Sequence, residues 1–209
     1  MNNQSDIILS TALRQAKEDS PFAYCPIEKR AVYFVKQGPS RFKTNYSLRT
    51  QFVAKKLVQS GYDVCCFIKP LAAIDFSKRG ELDSVEEDVD GVRYLYSLNK
   101  SNFSVLNDVD SLRLEVDIYT EWLCIYRPSR IVVTDDADVS LPVWISATKL
   151  KIPIFFEVRN ILGSNNHKDM VANFDSVIKF IAERANKVFA LNHEVESSLL
   201  NIGAENEKI

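Results

Sequence analysis

Short apolar runs alternate with helical patterns along most of this chain, and this alternation limits the folds that are open to it. The runs are typical of buried strands and cover residues 31–35, 62–68, 92–96, 131–134, 152–156 and 188–191. Neighbouring parallel strands need a crossover connection, and a right-handed helical crossover is the favoured one. The sequence therefore predicts an α/β fold with a doubly wound, Rossmann-like parallel sheet of about six strands.

One helical pattern is especially regular. Seven apolar residues, spaced alternately by four and three positions, form one stripe on a single helix: Val105, Val109, Leu112, Val116, Tyr119, Leu123 and Tyr126. Further helices are predicted over residues 6–17, 45–60, 141–150 and 170–181, with a short one ending at residue 201. In 45–60, the pairs Leu48/Phe52 and Val53/Leu57 predict a broad apolar face. Residues 69–90 are predicted to be a loop, with the acidic run 81–90 in solvent.

Composition narrows the class of protein. The chain has 209 residues, of which 46% are hydrophobic and 26% charged, as in ordinary globular domains. We expect an extension with a short helix over residues 1–29 and one Rossmann-like domain over residues 30–209. A net charge of -2 provides no global attraction for nucleic acid. No apolar run approaches the roughly 20 residues of a membrane span, and the N-terminal residues do not resemble a secretion signal.

The cysteines and histidines do not indicate a metal site. The four cysteines form no C-x-x-C pair, and the chain has only two histidines. Cys65 and Cys66 lie in the apolar run GYDVCCFI, which predicts buried thiols in a reducing cytoplasm.

Polar residues follow several of the predicted strands. In doubly wound sheets, ligands bind beyond the carboxyl ends of the strands. The segments expected there are 36–44, 69–73, 135–138, 157–162 and 192–193. Glu157 and Arg159 are two residues apart after a buried strand, so their side chains point to the same face. They either contribute to a polar crevice or pair with each other and neighbouring loops.

Four segments, taken together, resemble a known enzyme family. The first is RAVYFVKQGPSRFKTNYSLRTQFVAKKLVQSGYDV, which contains a Tyr-x-x-Arg motif at Tyr46 and Arg49. The others are DGVRYLYSL, then RPSRIVVTDDADVSLPVWISATKLKIPIFFEVRN, and finally ERANKVFALNHEVESSLLNIGAENEKI. In this order they resemble the N-terminal domain of family-4 (group 1) retaining GT-B glycosyltransferases, which assemble cell-surface polysaccharides. Glu-Val-Arg after an Ile-Pro strand is the most specific match.

The resemblance implies transfer of a sugar from a nucleotide-sugar donor to a glycan or lipid-linked acceptor, with retention and without a metal or other cofactor. In this family the N-terminal domain mostly holds the acceptor, and a C-terminal domain holds the donor. We expect that second domain to be absent here, so that residues 1–209 alone are inactive. The implied location is cytoplasmic, including the inner face of the membrane through peripheral contact, with no nucleic-acid partner.

The resemblance also implies site residues. Asp135 and Asp136 are the candidate catalytic residues: they bind acceptor hydroxyls or assist deprotonation, unless they cap the following helix. Arg49 meets an acceptor phosphate or carboxylate, or forms a structural ion pair. Arg41 and Lys43 meet a lipid-linked diphosphate or an acidic membrane surface, or are solvated loop charges. The full set of candidate substrate-binding residues is Gly38, Arg41, Lys43, Asn45, Tyr46, Arg49, Glu157, Arg159, Asn160 and His193.

The chain also departs from the family pattern. Thr44, Asn45 and Tyr46 stand where the family has a glycine pair, and Thr134, Asp135 and Asp136 where many relatives carry a histidine. These departures favour the alternative of a non-catalytic interaction module derived from a glycosyltransferase domain. An enzyme that uses a dinucleotide is disfavoured because no G-x-G-x-x-G follows the first strand.

Overall fold

A seven-stranded, mostly parallel sheet forms the centre of the molecule. The computed structural model describes residues 4–18, 23–40, 43–69, 84–97, 108–160 and 171–209. The strands are β1 (Ile27–Val35), β2 (Asp63–Ile68), β3 (Ser84–Val89), β4 (Val92–Ser97), β5 (Pro128–Thr134), β6 (Ile154–Val158) and β7 (Lys187–Ala190). Their order in the sheet is β3-β4-β2-β1-β5-β6-β7. This arrangement confirms the predicted Rossmann-like α/β class.

Six helices flank the sheet in the described residues. They are α1 (Gln4–Ala16), α2 (Asn45–Gln59), α3 (Asp108–Tyr126), α4 (Ala137–Leu150), α5 (Val171–Ala182) and α6 (His193–Asn201). The regular stripe is confirmed within α3, where Leu112, Val116, Tyr119 and Leu123 are buried. Val105 of that stripe, and Met170 of the stripe predicted for α5, lie outside the described residues.

The predicted loop over 69–90 is wrong for its last part. Residues Ser84–Val89 form β3, which pairs antiparallel with β4 at the edge of the sheet. Val85 and Val89 share one face of the strand with the half-buried Glu87, whereas Glu86 and Asp88 are exposed on the other face, so the strand buries one face although the run is acidic. Residues 70–83 lie outside the described part of the chain.

β6 is also displaced from its prediction, by two residues. It begins at Ile154 rather than Ile152 and continues through Val158. Glu157 therefore lies inside the strand and pairs in register with Thr134 of β5. Only Arg159 and the residues after it follow the strand.

The two faces of the sheet are covered unequally. Buried residues of α1, α3, α4, α5 and α6 pack with one side of the sheet, which we call the five-helix face. The opposite side, which we call the α2 face, forms a separate cluster; within the described residues α2 is the only helix that contributes a buried residue to it. Three of that cluster's largest side chains are tyrosines, namely Tyr33, Tyr94 and Tyr96. Hydroxyl groups are therefore buried on the α2 face.

The prediction of a broad apolar face on α2 is wrong for one of its two pairs. Leu48 is 54% exposed and Phe52 is 63% exposed. The helix instead buries Ser47, Thr50, Gln51 and Ala54 against the sheet. Val53 and Leu57 are half-buried against the α2-face cluster. Small and polar side chains occupy the contact because the sheet below presents tyrosines, whose hydroxyls need partners.

The start of α2 is set by a reciprocal cap. The Thr44 side chain accepts a hydrogen bond from the Ser47 amide, while the Ser47 hydroxyl accepts one from the Thr44 amide. The cap satisfies backbone donors at the first turn and fixes where the helix leaves the β1 loop. Among the described helices, none has the length and apolar character needed to cross a bilayer.

Candidate functional site

The carboxyl ends of β1, β5 and β6 bring the candidate polar residues together. These strands are adjacent and parallel, and the amino-terminal part of α2 contacts their ends through Tyr46 and Arg49. The contacts at this edge link Tyr33 and Lys36 of the first strand and its loop, Thr134 to Asp136 of the second, and Glu157 to Asn160 of the third. We call this group the carboxyl-edge site.

Glu157 is at the centre of the site, and both of its carboxylate oxygens are occupied. Oε1 accepts from Arg49 Nε at 2.7 Å, and Oε2 accepts from Arg159 Nη2 at 3.0 Å and from the Tyr33 hydroxyl. Burial by itself would raise the pKa of Glu157, but the hydrogen bonds and charge of Arg159, with the bonds from Tyr33 and Arg49, hold it below its usual value. Glu157 is therefore a buried, ionised carboxylate.

Arg159 connects β6 to the first turn of α2. Its Nη1 donates to the Tyr46 carbonyl at 3.0 Å and to Thr50 Oγ1 at 3.1 Å. Its guanidinium also lies 4.5 Å from the centre of the Tyr46 ring. The Glu157 carboxylate beside it is one of the groups that raise the pKa of Arg159. Pairing between Glu157 and Arg159, one of the two alternatives from the sequence, is therefore what the structure contains.

Asp135 is fully buried and organises the chain after β6. Its Oδ2 accepts from the backbone amides of Arg159 and Asn160, at 2.9 and 2.8 Å, and from Asn160 Nδ2 at 2.9 Å. Burial nevertheless raises the pKa of Asp135 above its usual value. Within the described residues, Oδ1 of Asp135 and Nε of Arg159 have no hydrogen-bond partner. Asp135 holds the turn and does not reach solvent.

Asp136, in contrast, is partly exposed. It occupies the N-cap position of α4 but makes no capping hydrogen bond with its side chain. Instead, Oδ1 accepts from Lys36 Nζ at 3.1 Å, which joins the loop after β1 to the end of β5. Since both partners reach solvent, they are a carboxylate and a cation that a ligand can contact.

Tyr46 closes the site from the side of α2. Its hydroxyl lies 2.6 Å from Thr134 Oγ1 and accepts from the Lys36 amide at 3.3 Å. Burial raises the pKa of the Tyr46 hydroxyl, so it stays neutral in the physiological range. Lys43 and Asn45 lie nearby along the chain and are exposed, whereas Arg41 is outside the described residues.

Two predicted residues occupy different surroundings. A Cβ on Gly38 would collide with the Tyr96 hydroxyl, so packing against Tyr96 is enough to require glycine there. His193 is fully exposed at the start of α6, and its Nδ1 lies 3.0 Å from Glu196 Oε2. Among the contacts of the described residues, none joins His193 to the carboxyl-edge site.

Tyr33 and Thr50 contact the site but are not among the residues predicted from the sequence, and Lys36 is predicted only as part of segment 36–44. The sequence predicts only a core strand at Tyr33, although Tyr33 lies on the same face of its strand as Glu157 does on β6. The alternation of side chains along β1 was the signal that could have found it. Thr50 lies one turn after Tyr46 on α2 and had no comparable signal.

A second polar group lies near the same edge, at the ends of β2 and α4. Glu115 of α3 lies 3.5 Å from Lys69 Nζ, which is also 3.2 Å from Asp138. Burial raises the pKa of Glu115 to about 7, against the opposing charge of Lys69. The buried Tyr119 hydroxyl has no hydrogen-bond partner in the described part of the chain. We call this group the Glu115 cluster.

Comparison with solved structures identifies the architecture. UDP-GlcNAc 2-epimerase from Methanocaldococcus jannaschii matches with a TM-score of 0.55 and 14% identity, over 86% of this chain and 44% of that one. The UDP-N-acetylglucosamine 2-epimerase from Rickettsia bellii matches with a TM-score of 0.57 and 14% identity, over 86% and 43%. MnaA of S. aureus, solved together with UDP, matches with a TM-score of 0.55 and 13% identity, over 86% and 42%.

The fold is GT-B-like. The chain spans less than half the length of these enzymes. No protein-family model matches the chain, and neither does any curated protein sequence. At these identities the likeness establishes the fold, and the glycosyltransferase assignment remains a prediction.

Proposed function

We propose that this chain is the acceptor-side half of an enzyme that acts on nucleotide sugars, and specifically of a retaining glycosyltransferase. The proposal that the enzyme acts on nucleotide sugars rests on the fold match over 86% of the chain. Two of the matched structures are named as UDP-GlcNAc 2-epimerases, and the third was solved together with UDP. The transferase part rests on the resemblance of four ordered segments to family-4 enzymes.

In the proposed reaction, the carboxyl-edge site receives the acceptor. Asp136 is the exposed carboxylate of the site and accepts the proton of the attacking hydroxyl. Lys36 and Arg49 supply positive charge for a phosphate of a lipid-linked acceptor, with Lys43 and Asn45 as further exposed contacts. Glu157, Arg159, Asp135 and Asn160 act as positioning residues, because their side-chain polar groups are engaged in holding the strand ends and α2.

The proposed donor is a nucleotide sugar bound mainly by a second domain, so residues 1–209 by themselves are inactive in this proposal. Catalysis would rest on alignment of the acceptor and electrostatic support of the leaving diphosphate, without a metal. The proposed location is the cytoplasm, at the inner face of the membrane, where a lipid-linked acceptor would be presented.

The test uses the complete product of the gene that encodes this chain. It is incubated with a panel of nucleotide sugars and glycan or lipid-linked acceptors. A transferase releases nucleoside diphosphate only when an acceptor is present, and the new bond keeps the anomeric configuration of the donor, which NMR measures. Asp136→Asn should lower kcat about 100-fold, since removal of a general base typically has an effect of this size. Asp110→Asn on α3 is the matched control and should leave kcat unchanged.

A second candidate, a sugar-nucleotide epimerase, is favoured by the names of the structural neighbours. It would convert a nucleotide sugar into its epimer at C2 without any acceptor, and NMR of the sugar would detect this. If the complete protein does neither reaction, the interaction-module alternative replaces both. That alternative is supported by the thorough pairing of Glu157 and Arg159, which leaves few polar groups free for a substrate.

A further inference from the structure

The Glu115 cluster adjoins the carboxyl-edge site. Lys69 follows β2, and its backbone amide donates to the carbonyl of the last residue of β1 at 3.0 Å. Asp138 lies in the first turn of α4, two residues after Asp136. Burial acts to lower the pKa of Lys36, but the charges of Asp136 and then Asp138 raise it overall. Lys36 is therefore the cation on which the acids of both groups act.

Lys69 is shared between two carboxylates that differ in exposure. Its ammonium lies 3.5 Å from Oε1 of Glu115 and 3.2 Å from Oδ2 of Asp138. Lys69 and Glu115 are almost completely buried, whereas the side chain of Asp138 is 60% exposed. Solvent screens a charge pair at the surface far more than a buried pair. An ionised Glu115 therefore attracts Lys69 more strongly than Asp138 does.

Glu115 is the member of this cluster that changes charge near neutral pH. Burial raises its pKa to about 7 although Lys69 lowers it, and the charge of Asp138 adds to the rise. Tyr119, one turn further along α3, stays neutral because burial, with the charges of Glu115 and Asp138, holds its pKa well above the usual value. Among the described residues, the charges that act on Glu115 are thus Lys69 from the end of β2 and Asp138 from α4.

We propose that Glu115, Lys69 and Asp138 form a proton-linked switch beside the carboxyl-edge site. When Glu115 carries a proton, Lys69 pairs with Asp138. When that proton leaves to solvent, the buried Glu115 carboxylate draws Lys69 away from Asp138. Asp138 then competes with Asp136 for the ammonium of Lys36. The outcome is an exchange of ion-pair partners that follows the charge of one buried carboxyl group.

The consequence for the carboxyl-edge site is a change in the partner of Asp136. An unpaired carboxylate is a stronger proton acceptor than one that is bound to an ammonium. Loss of Lys36 to Asp138 therefore leaves Asp136 as the better base at higher pH. This effect on catalysis rests on the proposed function, in which Asp136 accepts the proton of the attacking hydroxyl, whereas the exchange of partners does not.

The first test follows the exchange by NMR in the chain without any substrate. Carbon-13 shifts of the side-chain carboxyl groups measure the charge of Glu115, and nitrogen-15 shifts of the lysine ammonium groups respond to their partners. We expect Glu115 to titrate near pH 7, and the Nζ signals of Lys69 and Lys36 to move with the same midpoint. The Lys36 signal distinguishes a switch from a local titration, because the ion pair of Lys36 is with Asp136.

Substitutions separate the members of the switch. Asp138→Asn should lower the midpoint of Glu115, because the Asp138 charge raises it, and should remove the pH response of Lys36. Lys69→Met should raise the midpoint of Glu115 by about 1 pH unit or more. Lys55→Met, which removes a lysine of α2 that pairs with an acid of the β3–β4 turn, is the control and should leave it unchanged. Asp138→Asn changes a mostly exposed position, so it keeps the test valid if Lys69→Met fails to fold.

The second test measures the pH dependence of kcat for the complete product of the gene. The ionised fraction of a group with its midpoint near 7 falls about tenfold from about pH 8 to about pH 6, and kcat should fall with it. Glu115→Gln and Asp138→Asn should both hold kcat at the lower value throughout, since Asp138 can no longer compete for Lys36. Glu121→Gln, an exposed change on α3, should keep the full pH dependence.

The two tests fail independently. The switch is overturned if Glu115 does not titrate between about pH 6 and 8, or if the Lys36 signal does not follow its midpoint. It is also overturned if Asp138→Asn leaves the pH response of Lys36 unchanged. If the exchange is seen but the complete protein transfers no sugar, the proposed function fails and the switch stands. If sugar is transferred and Glu115→Gln keeps the unmodified pH profile, the switch fails and the proposed function stands.

Discussion

Two glutamates are almost completely buried in the described part of this protein, and they differ in charge state. Glu157 lies on the α2 face at 4% exposure, and Glu115 lies on α3 at 6%. Glu157 accepts hydrogen bonds from Arg49, Arg159 and Tyr33, and its pKa is lowered. Among the described residues, the Lys69 ammonium at 3.5 Å is the one cation that pairs with Glu115, whose pKa rises to about 7 through burial. Burial is similar for both, so the number and distance of donors decide which carboxylate stays ionised.

The comparison also distinguishes a carboxylate that holds elements together, Glu157, from one that can exchange a proton, Glu115. Three donors to Glu157 tie together β1, β6 and α2, so its charge is part of what holds the carboxyl edge in shape. Glu115 joins α3 to Lys69 through one longer contact, with the carboxylate of Asp138 also close to Lys69.

The largest expected effect on stability follows from removing the charge of Glu157. Glu157→Gln leaves Arg159 buried without a compensating charge, and losing one partner of a buried pair typically destabilises by about 3 kcal/mol or more. We expect this loss in the free energy of unfolding, measured by urea denaturation at neutral pH. Glu121→Gln, an exposed change on α3, is the control. A loss below about 1 kcal/mol would mean that the network contributes little.

The next effect is on pH dependence. The pKa of Glu115 is about 7 in the folded state and 4.5 normally, so folded protein retains a proton that the unfolded chain releases between these values. Glu115 therefore contributes stability that is complete below about pH 4.5 and is lost as pH rises through about 7. Glu115→Gln should flatten this part of the curve, which amounts to on the order of 3 kcal/mol.

The contribution of Glu157 to stability changes with pH in the opposite direction. Its folded pKa lies below 4.5, so its stabilisation is present above that value and is lost as the pH falls through the folded pKa. Glu157→Gln should thus flatten the acid limb of the same curve while leaving the limb near pH 7 unchanged. Thermal unfolding followed by circular dichroism across the pH range measures both. If one substitution flattened both limbs, the two carboxylates would not be independent.

A smaller effect distinguishes two buried tyrosines. The Tyr33 hydroxyl donates to Glu157 and accepts from Arg159, so Tyr33→Phe should destabilise by roughly 1–2 kcal/mol. The Tyr119 hydroxyl is equally buried but has no hydrogen-bond partner among the described residues. Tyr119→Phe should therefore be neutral or slightly stabilising. Equal losses from both changes in urea denaturation would contradict the assignment of partners.

The smallest effect on stability is expected at Arg49, the partly exposed donor to Glu157. Arg49 is about one-third exposed and binds Glu157 through Nε alone. Solvent screens this ion pair, so Arg49→Met should lower the free energy of unfolding by less than about 1 kcal/mol. The same change should raise KM for a phosphate-bearing acceptor if the proposed function holds. A stability loss as large as that of Glu157→Gln would mean that solvent does not screen the Arg49–Glu157 ion pair.

How much was predictable differs between the fold and the site. The strand runs, the α3 stripe and the parallel order followed from hydrophobic periodicity, because burial of apolar side chains is set by local spacing. β3 was not predicted as a strand because its acidic residues alternate with few apolar ones, and an edge strand buries only one face. The exposure of Leu48 and Phe52 escaped because spacing reveals an apolar side of a helix but not whether a partner covers it.

For the site, the sequence by itself determined that polar residues follow several strands and that Glu157 and Arg159 share a face. Only the tertiary structure decided their hydrogen-bond partners and the ionisation of Glu157. Arg49 and Tyr33 are over 100 residues from Glu157 in the chain, and their contacts depend on how α2 and β1 are placed relative to β6. The charge of a buried carboxylate depends on donors within a few ångströms, and such distances are set by packing between elements rather than by the order of residues.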